Sequence, residues 1–469
     1  MAAPATRFDN VPINVEKIQV APAEDSKNPK LRTSKSFVND VFVKAKSSTT
    51  FGQLLQAIQE GTHAMEELGM YKTVDYQLKE TTKPRVLDLI VKLKEKGSFY
   101  GSAGVDIFSC VDLLTGMSTV QRQPMMKIEG LYRNLFGNAE SLKGSFSYGN
   151  DQTAGSFALT LSKPKAFKLN DSQPPFGTFA AMAHYNGGTL FRDSGFVEKS
   201  SGLTINGKSE DQKHNIEYLG AWRDVVPHEK PADTPHSNSV LKASMPSLKS
   251  SIRYTYTHET TDHKLVPTKG IFVKSSTEIA GFGGDVRFGK LEGCGRVHWP
   301  ISSSVTASIG CFGGLLVPLG EGLNFFGTPS LLNDRFFHRG FRDLRIRGFT
   351  EFGPKDEGDA IGGDGYYTVG GSIAYSPPIQ IFKDNNIRLH AFANAGNMQL
   401  LSDGDGDVLS RVAKLTSKDE VKASVGVGVI APISIGRFEI NLVAPVTTHH
   451  QGDFLPEIRF RWALDSDFS

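Results

Sequence analysis

The chain has 469 residues, with 52 basic and 50 acidic side chains and a formal net charge of +2, so no excess charge indicates binding to nucleic acid. Hydrophobic residues make up 39% of the chain and the mean hydropathy is −0.25. No apolar run approaches the ~20 residues that a membrane helix needs, which excludes membrane-spanning helices. The strands of a membrane β-barrel are not excluded, because half of their residues face a polar lumen.

Residues 13–96 are predicted to form a small α+β domain, preceded by a flexible N-terminus at residues 1–12. The N-terminus lacks the features of a secretory signal and of a mitochondrial matrix presequence, so we expect first handling in the cytosol. The second of two helical stretches has hydroxyl side chains before it and Gly69 after it, which are typical start and stop signals. The predicted order is strand, two helices, two strands: residues 13–20, 37–43, 51–68, 71–78 and 85–94.

Residues 97–469 contain few helical stretches and many short alternating segments separated by turn residues, which indicate an all-β region. A soluble β-sandwich of about 100 residues has seven to nine strands, so this region would need several sandwiches joined by linkers, and it has no Pro/Ser-rich linker. One membrane barrel of roughly 14–18 strands fits better. From the pattern alone, soluble sandwiches stay open as the alternative.

Residues 202–209 match the phosphate-loop pattern GxxxxGK[ST], in which a helix must follow the loop. Here Ile216, Tyr218 and Trp222 alternate with polar residues, which predicts a strand. Asn206-Gly207 between two alternating runs is a strong signal for a hairpin turn. The segment therefore predicts a hairpin that turns at Asn206-Gly207, and no nucleotide site.

Other motifs that suggest chemistry are incomplete. Residues 426–431 match a dinucleotide-binding pattern but lie within an alternating strand, and the acidic run at residues 403–407 lacks the glycine and glutamate of a calcium loop. His449-His450 has no third ligand at metal spacing. The three cysteines, Cys110, Cys294 and Cys311, have neither CxxC spacing nor an even number. We predict no cofactor, no metal ion and no catalytic residues, and hence no enzyme.

Residues 335–353 place arginines among phenylalanines in a stretch too irregular for a strand or a helix. Such a loop is either exposed, with arginines at lipid headgroups, or folded into a lumen, with arginine paired to a carboxylate. Within it, Ile346, Arg347, Gly348 and Phe349 resemble the loop-six motif of the BamA-like outer-membrane insertase superfamily. Residues 357–366 are similar to the strand after that loop, and residues 392–397 to the next motif of the superfamily in its mitochondrial form.

This resemblance covers nearly the whole chain and points to the barrel subunit of the mitochondrial sorting and assembly machinery. It implies a mostly β fold: a 16-stranded antiparallel transmembrane β-barrel at residues 97–469 after one N-terminal α+β POTRA domain. It also implies that loop six enters the lumen, where Arg347 bonds to Asp364 and to Asn394. An amide at position 394 would give a weaker contact than a carboxylate.

The resemblance implies an insertase of the mitochondrial outer membrane, with its N-terminal domain in the intermembrane space. Its implied partners are unfolded β-barrel precursors, accessory machinery subunits and the lipid bilayer, without nucleic acid or nucleotide. Precursors would enter through a lateral seam between a first strand at 98–106 and a last strand at 455–464. The seam residues would be Tyr100, Gly101, Gly104, Ile458, Phe460 and Trp462. The alternative is a passive β-barrel diffusion porin.

Overall fold

A computed structural model describes residues 10–24, 30–106, 125–148, 155–167, 176–190, 195–228, 235–320, 328–337, 353–402, 408–417, 420–433, 436–446 and 455–462. Within these ranges, no helix has the length and apolar character that crossing a membrane requires.

The N-terminal unit is a three-stranded sheet packed against helices. Its elements are β1 (Asn14–Pro22), α1 (Lys35–Val41), α2 (Val43–Lys46), α3 (Phe51–Glu67), β2 (Tyr71–Glu80) and β3 (Val86–Glu95). Strand β3 is central, parallel to β1 and antiparallel to β2. Helix α3 begins where the Thr50 side chain accepts a hydrogen bond from the Gln53 amide, and the chain leaves it through Gly69 at φ +66°. Its apolar face buries Leu54 and Ile58 completely.

Most of the remaining described chain forms one antiparallel sheet of sixteen strands. Its strands are β4 (Phe99–Asp106), β5 (Met125–Arg133), β6 (Ser141–Tyr148), β7 (Ser156–Phe167), β8 (Phe176–Leu190), β9 (Phe196–Lys208), β10 (His214–Pro227), β11 (Ser247–Glu259), β12 (Gly270–Ala280), β13 (Phe288–Pro300) and β14 (Val305–Pro318), and, after the short hairpin β15 (Lys355–Asp356) and β16 (Asp359–Ala360), β17 (Gly365–Tyr375), β18 (Arg388–Gln399), β19 (Lys422–Ile433), β20 (Gly436–Pro445) and β21 (Leu455–Trp462). Three short helices lie in its connections: α4 (Asn238–Ala243), α5 (Gln380–Asp384) and α6 (Val408–Ala413).

The strands follow one another in the sheet in chain order, and only the β15–β16 hairpin stands apart. The predicted large antiparallel sheet is thus confirmed, and separate soluble sandwiches are excluded within the described residues. Pairing runs from β4 to β21, and among the described residues these two terminal strands are not paired with each other.

Alternation along the strands gives the large sheet two different faces. One, here called the outer face, exposes apolar side chains: Trp222 is 51%, Ile309 58% and Ile373 54% exposed. The other, the inner face, carries buried polar side chains such as Arg223 and Thr368. A broad apolar surface of this kind is costly in water and is typical of a surface that lipid or a partner covers.

The predicted β9–β10 hairpin is present, but its turn is not at Asn206-Gly207. Asn206 pairs with Glu217, and Gly207 lies between β8 and β10, so strand pairing on both sides outweighs the local turn preference. The chain turns at residues 209–213 instead, where the Asp211 carboxylate accepts hydrogen bonds from the Ser209 hydroxyl at 2.5 Å and the Lys213 amide at 3.1 Å. The backbone of 202–208 is therefore committed to the sheet rather than arranged as a phosphate-binding loop.

The other motifs considered in the sequence fall in two groups. Residues 426–431 lie within β19, as predicted. The acidic run at 403–407 and His449-His450 lie outside the described residues, as does Cys110. Among the described side chains, no cluster of three or more His, Cys, Asp or Glu has metal-binding geometry.

The N-terminal unit is connected to the turn between β5 and β6 by hydrogen bonds. The Glu95 carboxylate accepts hydrogen bonds from the Thr33 amide at 2.8 Å, the Thr33 hydroxyl at 2.6 Å and Arg32 Nε at 3.1 Å. Arg32 also donates to the Arg133 carbonyl at 3.2 Å, and the Ser34 amide donates to the Gly137 carbonyl at 2.7 Å. Residues 32–34 therefore bridge β3 and the β5–β6 hairpin of the large sheet.

Replacing Glu95 by Gln is expected to loosen this bridge by about 1–3 kcal/mol, because a largely buried carboxylate holding several donors is lost. Burial raises the pKa of Glu95, but the hydrogen bonds from Thr33 and Arg32 outweigh it, so the pKa lies below its ordinary value of 4.5. The contribution is complete at neutral pH and is lost as the pH falls below 4.5 through the folded-state value. The stability of the bridge is measured by hydrogen exchange of the amides of residues 32–34 in the full chain, at pH 7 and in acid.

The control is Glu24→Gln, since the Glu24 side chain is 87% exposed and its ion pair with Lys92 lies in solvent. Exchange at residues 32–34 is expected to be unchanged in this variant. If Glu95→Gln and Glu24→Gln have equal exchange rates there, the bridge does not depend on the Glu95 charge.

Candidate functional site

The connection between β14 and β17 lies against the inner face of the large sheet. Its described parts are residues 328–337, which include a short 3-10 helix at Leu332–Asp334, and residues 353–364. The backbones of Phe336 and Gly363 exchange two hydrogen bonds, of 2.9 and 3.0 Å, which join these two parts. We call residues 328–337 together with 353–364 the inner loop.

Phe336 anchors the inner loop by packing. Its ring meets Tyr366 edge to face at a centroid distance of 4.7 Å, and Lys290 Nζ lies 4.3 Å from its centroid. Gly314 makes this approach possible, because a Cβ there would lie 2.6 Å from the Phe336 ring. The absence of a side chain at Gly314 thus makes room for the Phe336 ring against the sheet.

Asp334 anchors the inner loop by charge. It forms a bidentate pair with Arg223 of β10, at 2.8 and 3.0 Å, and an ion pair with Lys249 of β11 at 3.2 Å. Lys290 of β13 donates to the Asp334 carbonyl at 2.8 Å, and Lys249 also pairs with Glu278 of β12 at 2.7 Å. One loop residue is therefore held by four consecutive strands, directly or through Lys249.

The Asp334 cluster is closed to water. Asp334 is 3%, Arg223 5% and Lys249 6% exposed. Burial raises the pKa of Asp334, but the charges of Arg223 and Lys249 outweigh it, so the pKa lies below its ordinary value and the carboxylate is ionised. Removing one partner of a buried ion pair strongly destabilises the folded state, because it leaves a buried charge without compensation. The arrangement therefore fixes the position of the loop.

Asp364, one of the two predicted partners of Arg347, is fully buried at the end of the inner loop. Its carboxylate accepts hydrogen bonds from the Ser330 hydroxyl and from the Ser402 amide at 2.9 Å. Arg335 Nε lies 4.0 Å from the same carboxylate and donates to the Ser330 hydroxyl at 2.8 Å. Arg335 of the inner loop thus lies at ion-pair distance from Asp364.

The second predicted partner, Asn394, lies elsewhere on the inner face. It is opposite Gly370, six residues along β17 from Asp364, which is a separation of about 20 Å at 3.3 Å per residue. Its side-chain oxygen accepts a hydrogen bond from the Ser424 hydroxyl at 2.7 Å. One guanidinium group does not reach both sites. Ile346, Arg347, Gly348 and Phe349 lie outside the described residues, so the partner of Arg347 stays a prediction.

The predicted seam residues lie on the two terminal strands of the sheet. Tyr100, Gly101 and Gly104 belong to β4, where Gly101 pairs with Gly130 of β5. In the backbone of β21, Ile458, Phe460 and Trp462 pair with β20.

Sequence reasoning missed the Asp334 cluster. Arg223 and Lys249 are visible in the sequence as charges within alternating strands, but nothing local identifies a partner 111 or 85 residues away. The sequence offers one indication: each residue lies on the strand side opposite the exposed apolar residues, and therefore on the inner face.

Comparison with known proteins agrees with this architecture. The Omp85 superfamily domain matches residues 134–468. A SAM50-like protein of Schizosaccharomyces pombe is 28% identical, over 93% of this chain and 87% of its own length. The sorting and assembly machinery component 50 homolog of Mus musculus is 29% identical, over 84% of this chain and 79% of its own length.

Among solved structures, BamA from Haemophilus ducreyi lacking POTRA domains 1-3 has a similar fold. The TM-score is 0.70 at 15% sequence identity, and the match covers 96% of this chain and 84% of that chain. The superfamily match covers well over half of the chain, and the resemblance to BamA-like and sorting and assembly machinery proteins predicted from the motifs is confirmed. The chain therefore belongs to the Omp85 superfamily.

Proposed function

We propose that this chain is a β-barrel insertase of the mitochondrial outer membrane, which folds β-barrel precursors and inserts them into the bilayer. The observation that carries the proposal is a single sheet whose two terminal strands are unpaired with each other among the described residues. The names of the relatives, sorting and assembly machinery component 50 homologs, support the same function.

In this proposal the sheet closes into a 16-stranded barrel, with its outer face in lipid and its inner face around the lumen. The exposed apolar side chains of the outer face support this arrangement, because lipid would cover them. Residues 13–96 act as a POTRA domain in the intermembrane space. Precursors and accessory machinery subunits are the partners, and neither nucleotide nor cofactor takes part.

The seam between β4 and β21 is the place where a precursor enters. An unpaired strand edge in hydrocarbon costs several kcal/mol for each unsatisfied backbone group, so a precursor strand gains stability by pairing with an exposed edge before its own barrel closes. Chemistry is limited to backbone pairing, and no residue acts as a catalytic acid, base or nucleophile.

The alternative, a passive diffusion porin, requires an open lumen. The inner loop disfavours it, because buried ion pairs hold the loop on the inner face, where it narrows any channel. Both functions require insertion into a bilayer, so the membrane location alone does not distinguish them.

Purified full-length chain in liposomes is expected to accelerate the folding of an unfolded β-barrel precursor by about tenfold or more, equivalent to lowering the barrier by at least 1.4 kcal/mol. Protease-protected, heat-modifiable precursor measures folding, and empty liposomes are the control. A porin would give rapid solute flux in the same liposomes without any acceleration. Folding at the rate of empty liposomes would contradict the proposed function.

A further inference from the structure

The loop between β11 and β12 has a shape of its own. In these ten residues, Thr260–Lys269, the Asp262 carboxylate accepts hydrogen bonds from the amides of Thr268 at 2.8 Å and Lys269 at 3.2 Å. His263 Nδ1 accepts hydrogen bonds from the amides of Leu265 at 3.1 Å and Val266 at 3.2 Å. The loop is therefore internally ordered rather than a simple turn.

Two arginines from distant strands hold this loop through its backbone. Arg388, the first residue of β18, donates to the carbonyls of Val266 at 3.0 Å and Pro267 at 3.2 Å. Arg437, near the start of β20, donates to the Leu265 carbonyl at 3.2 Å. Val266 is 2% and Arg388 6% exposed. Charged hydrogen bonds in such a buried setting are among the stronger ones in proteins.

These contacts join strands that are not neighbours in the sheet. Strands β13, β14 and β17 lie between β12 and β18, and β19 separates β18 from β20. Neighbouring strands are about 4.8 Å apart, so β12 is roughly 19 Å from β18 and 29 Å from β20 along the sheet. Arginine side chains do not span such distances. The sheet must curve so that the β11–β12 loop passes over its concave side.

The loop lies at the edge of the sheet that is next to the N-terminal unit. Strand β4 starts three residues after Lys96, and the strands alternate in direction from there. The starts of β12, β18 and β20 are therefore at the same edge as the start of β4. The loop thus crosses the opening that faces the N-terminal unit, opposite the edge where the inner loop begins.

Arg437 belongs to a buried network that joins β20 to β18. Arg437 forms an ion pair with Glu439, whose carboxylate also accepts from Asn441 Nδ2 at 3.4 Å. The Asn441 side-chain oxygen bonds to His390 Nε2 at 2.7 Å, and Asn441 is fully buried. Gly428 of the intervening strand β19 leaves the room, because a Cβ there would collide with Asn441 and His390.

On the other side of the seam, strands β4, β5 and β6 have no such buried side-chain network among the described residues. Their charged pairs, such as Lys143 with Glu129, are partly exposed. Gly101, Gly130 and Gly144 lie in register across them and contribute no side chains of their own, and the ring of Phe99 lies over the first two of these glycines. Glycine within a strand is less favourable than a residue with a side chain, which weakens this part of the sheet.

We propose that the β11–β12 loop is a strap across the opening that faces the N-terminal unit, and that Arg388 and Arg437 are positioning residues which fix strands β18–β20. The strap narrows the lumen and makes the β18–β20 wall the rigid side of the seam. The first strands, β4–β6, are then the side that moves. This last step rests on the proposed insertase function, whereas the strap requires only that the sheet closes into a membrane barrel.

The conductance of the full chain in planar bilayers tests the strap without any precursor. In Arg388→Gln/Arg437→Gln, the fraction of time spent in a high-conductance state is expected to rise by about tenfold or more, since charged hydrogen bonds are worth at least 1.4 kcal/mol in total. Arg388→Lys/Arg437→Lys should give an intermediate rise, because ammonium groups keep some donors. A variant with residues 262–268 replaced by a two-residue turn removes the strap without changing either arginine.

The matched control is Arg296→Gln. Arg296 stacks on Phe272 and Phe312 on the same face, so this variant loses an inner arginine without losing a strap contact identified here. The strap is overturned if the double glutamine variant and the shortened loop both conduct like Arg296→Gln.

Hydrogen exchange tests which wall moves. In the wild-type chain, amides of β4–β6 should exchange faster than those of β18–β20, and the double glutamine variant should remove most of this difference. Equal exchange in the two walls of the wild type would overturn the rigid-wall assignment. Precursor folding measured on the same samples separates the two claims. A conductance response without accelerated folding rejects the insertase and keeps the strap. Accelerated folding without a conductance response rejects the strap and keeps the insertase.

Discussion

A disulfide between the first and last strands of the sheet, β4 and β21, is expected to abolish precursor folding while the chain itself stays inserted. A covalent link keeps the two edges from separating, so a precursor strand has no free edge on which to pair. The link is made by a cysteine at Tyr100 combined in turn with one at Ile458, Phe460 or Trp462, with the three native cysteines replaced by alanine. Folding in liposomes is measured before and after reduction.

The control is a cysteine pair at Phe438 and Phe460, which are already in register on β20 and β21. This link joins two strands that stay together, so oxidised and reduced samples should fold precursors equally. Recovery of activity when the β4–β21 link is reduced would exclude a misfolded chain. An oxidised β4–β21 pair that folds precursors at the reduced rate would contradict entry through the seam.

Asp334→Asn is expected to release the inner loop and to reduce precursor folding strongly. The amide keeps the shape of the side chain but leaves Arg223 and Lys249 as buried cations without their shared anion, at a cost of about 3–5 kcal/mol. Protease cleavage within residues 328–337 and the precursor folding rate measure the two effects. Glu357→Gln is the control, because this exposed carboxylate belongs to the same loop and makes a single bond of 3.3 Å to Asn238.

A double-mutant cycle separates loop release from general damage. Removing Arg223 as well, with Arg223→Gln in the Asp334→Asn background, should cost less than the sum of the two single changes. Strict additivity, or an Asp334→Asn variant that behaves like Glu357→Gln, would contradict the anchoring role of Asp334.

Local signals predicted the elements, and long-range pairing decided the site. Helix α3 and the alternating strands follow from residues within one or two turns of each other, so their positions could be read from the sequence. The turn at 209–213 could not, because Asn206-Gly207 has the stronger local preference and loses only when β8 and β10 supply pairs on both sides. Recognition of the superfamily rested on short motifs, most of whose loop-six residues lie outside the described chain.

The functional contacts depend on the register of the whole sheet. Arg388 meets Val266 at a sequence separation of 122 residues, and Arg437 meets Leu265 at 172. Such pairs become neighbours only after every intervening strand has taken its place. A single sequence contains the charges, but it does not indicate which of them face each other across the concave side.

The bridge formed by Arg32, Thr33 and Glu95 has a mechanical consequence. It ties the N-terminal unit to the β5–β6 turn, and thus to the wall that borders the first strand rather than to the sheet as a whole. A torque on the N-terminal unit, such as a bound polypeptide would exert, is therefore delivered to β4–β6 as by a lever arm.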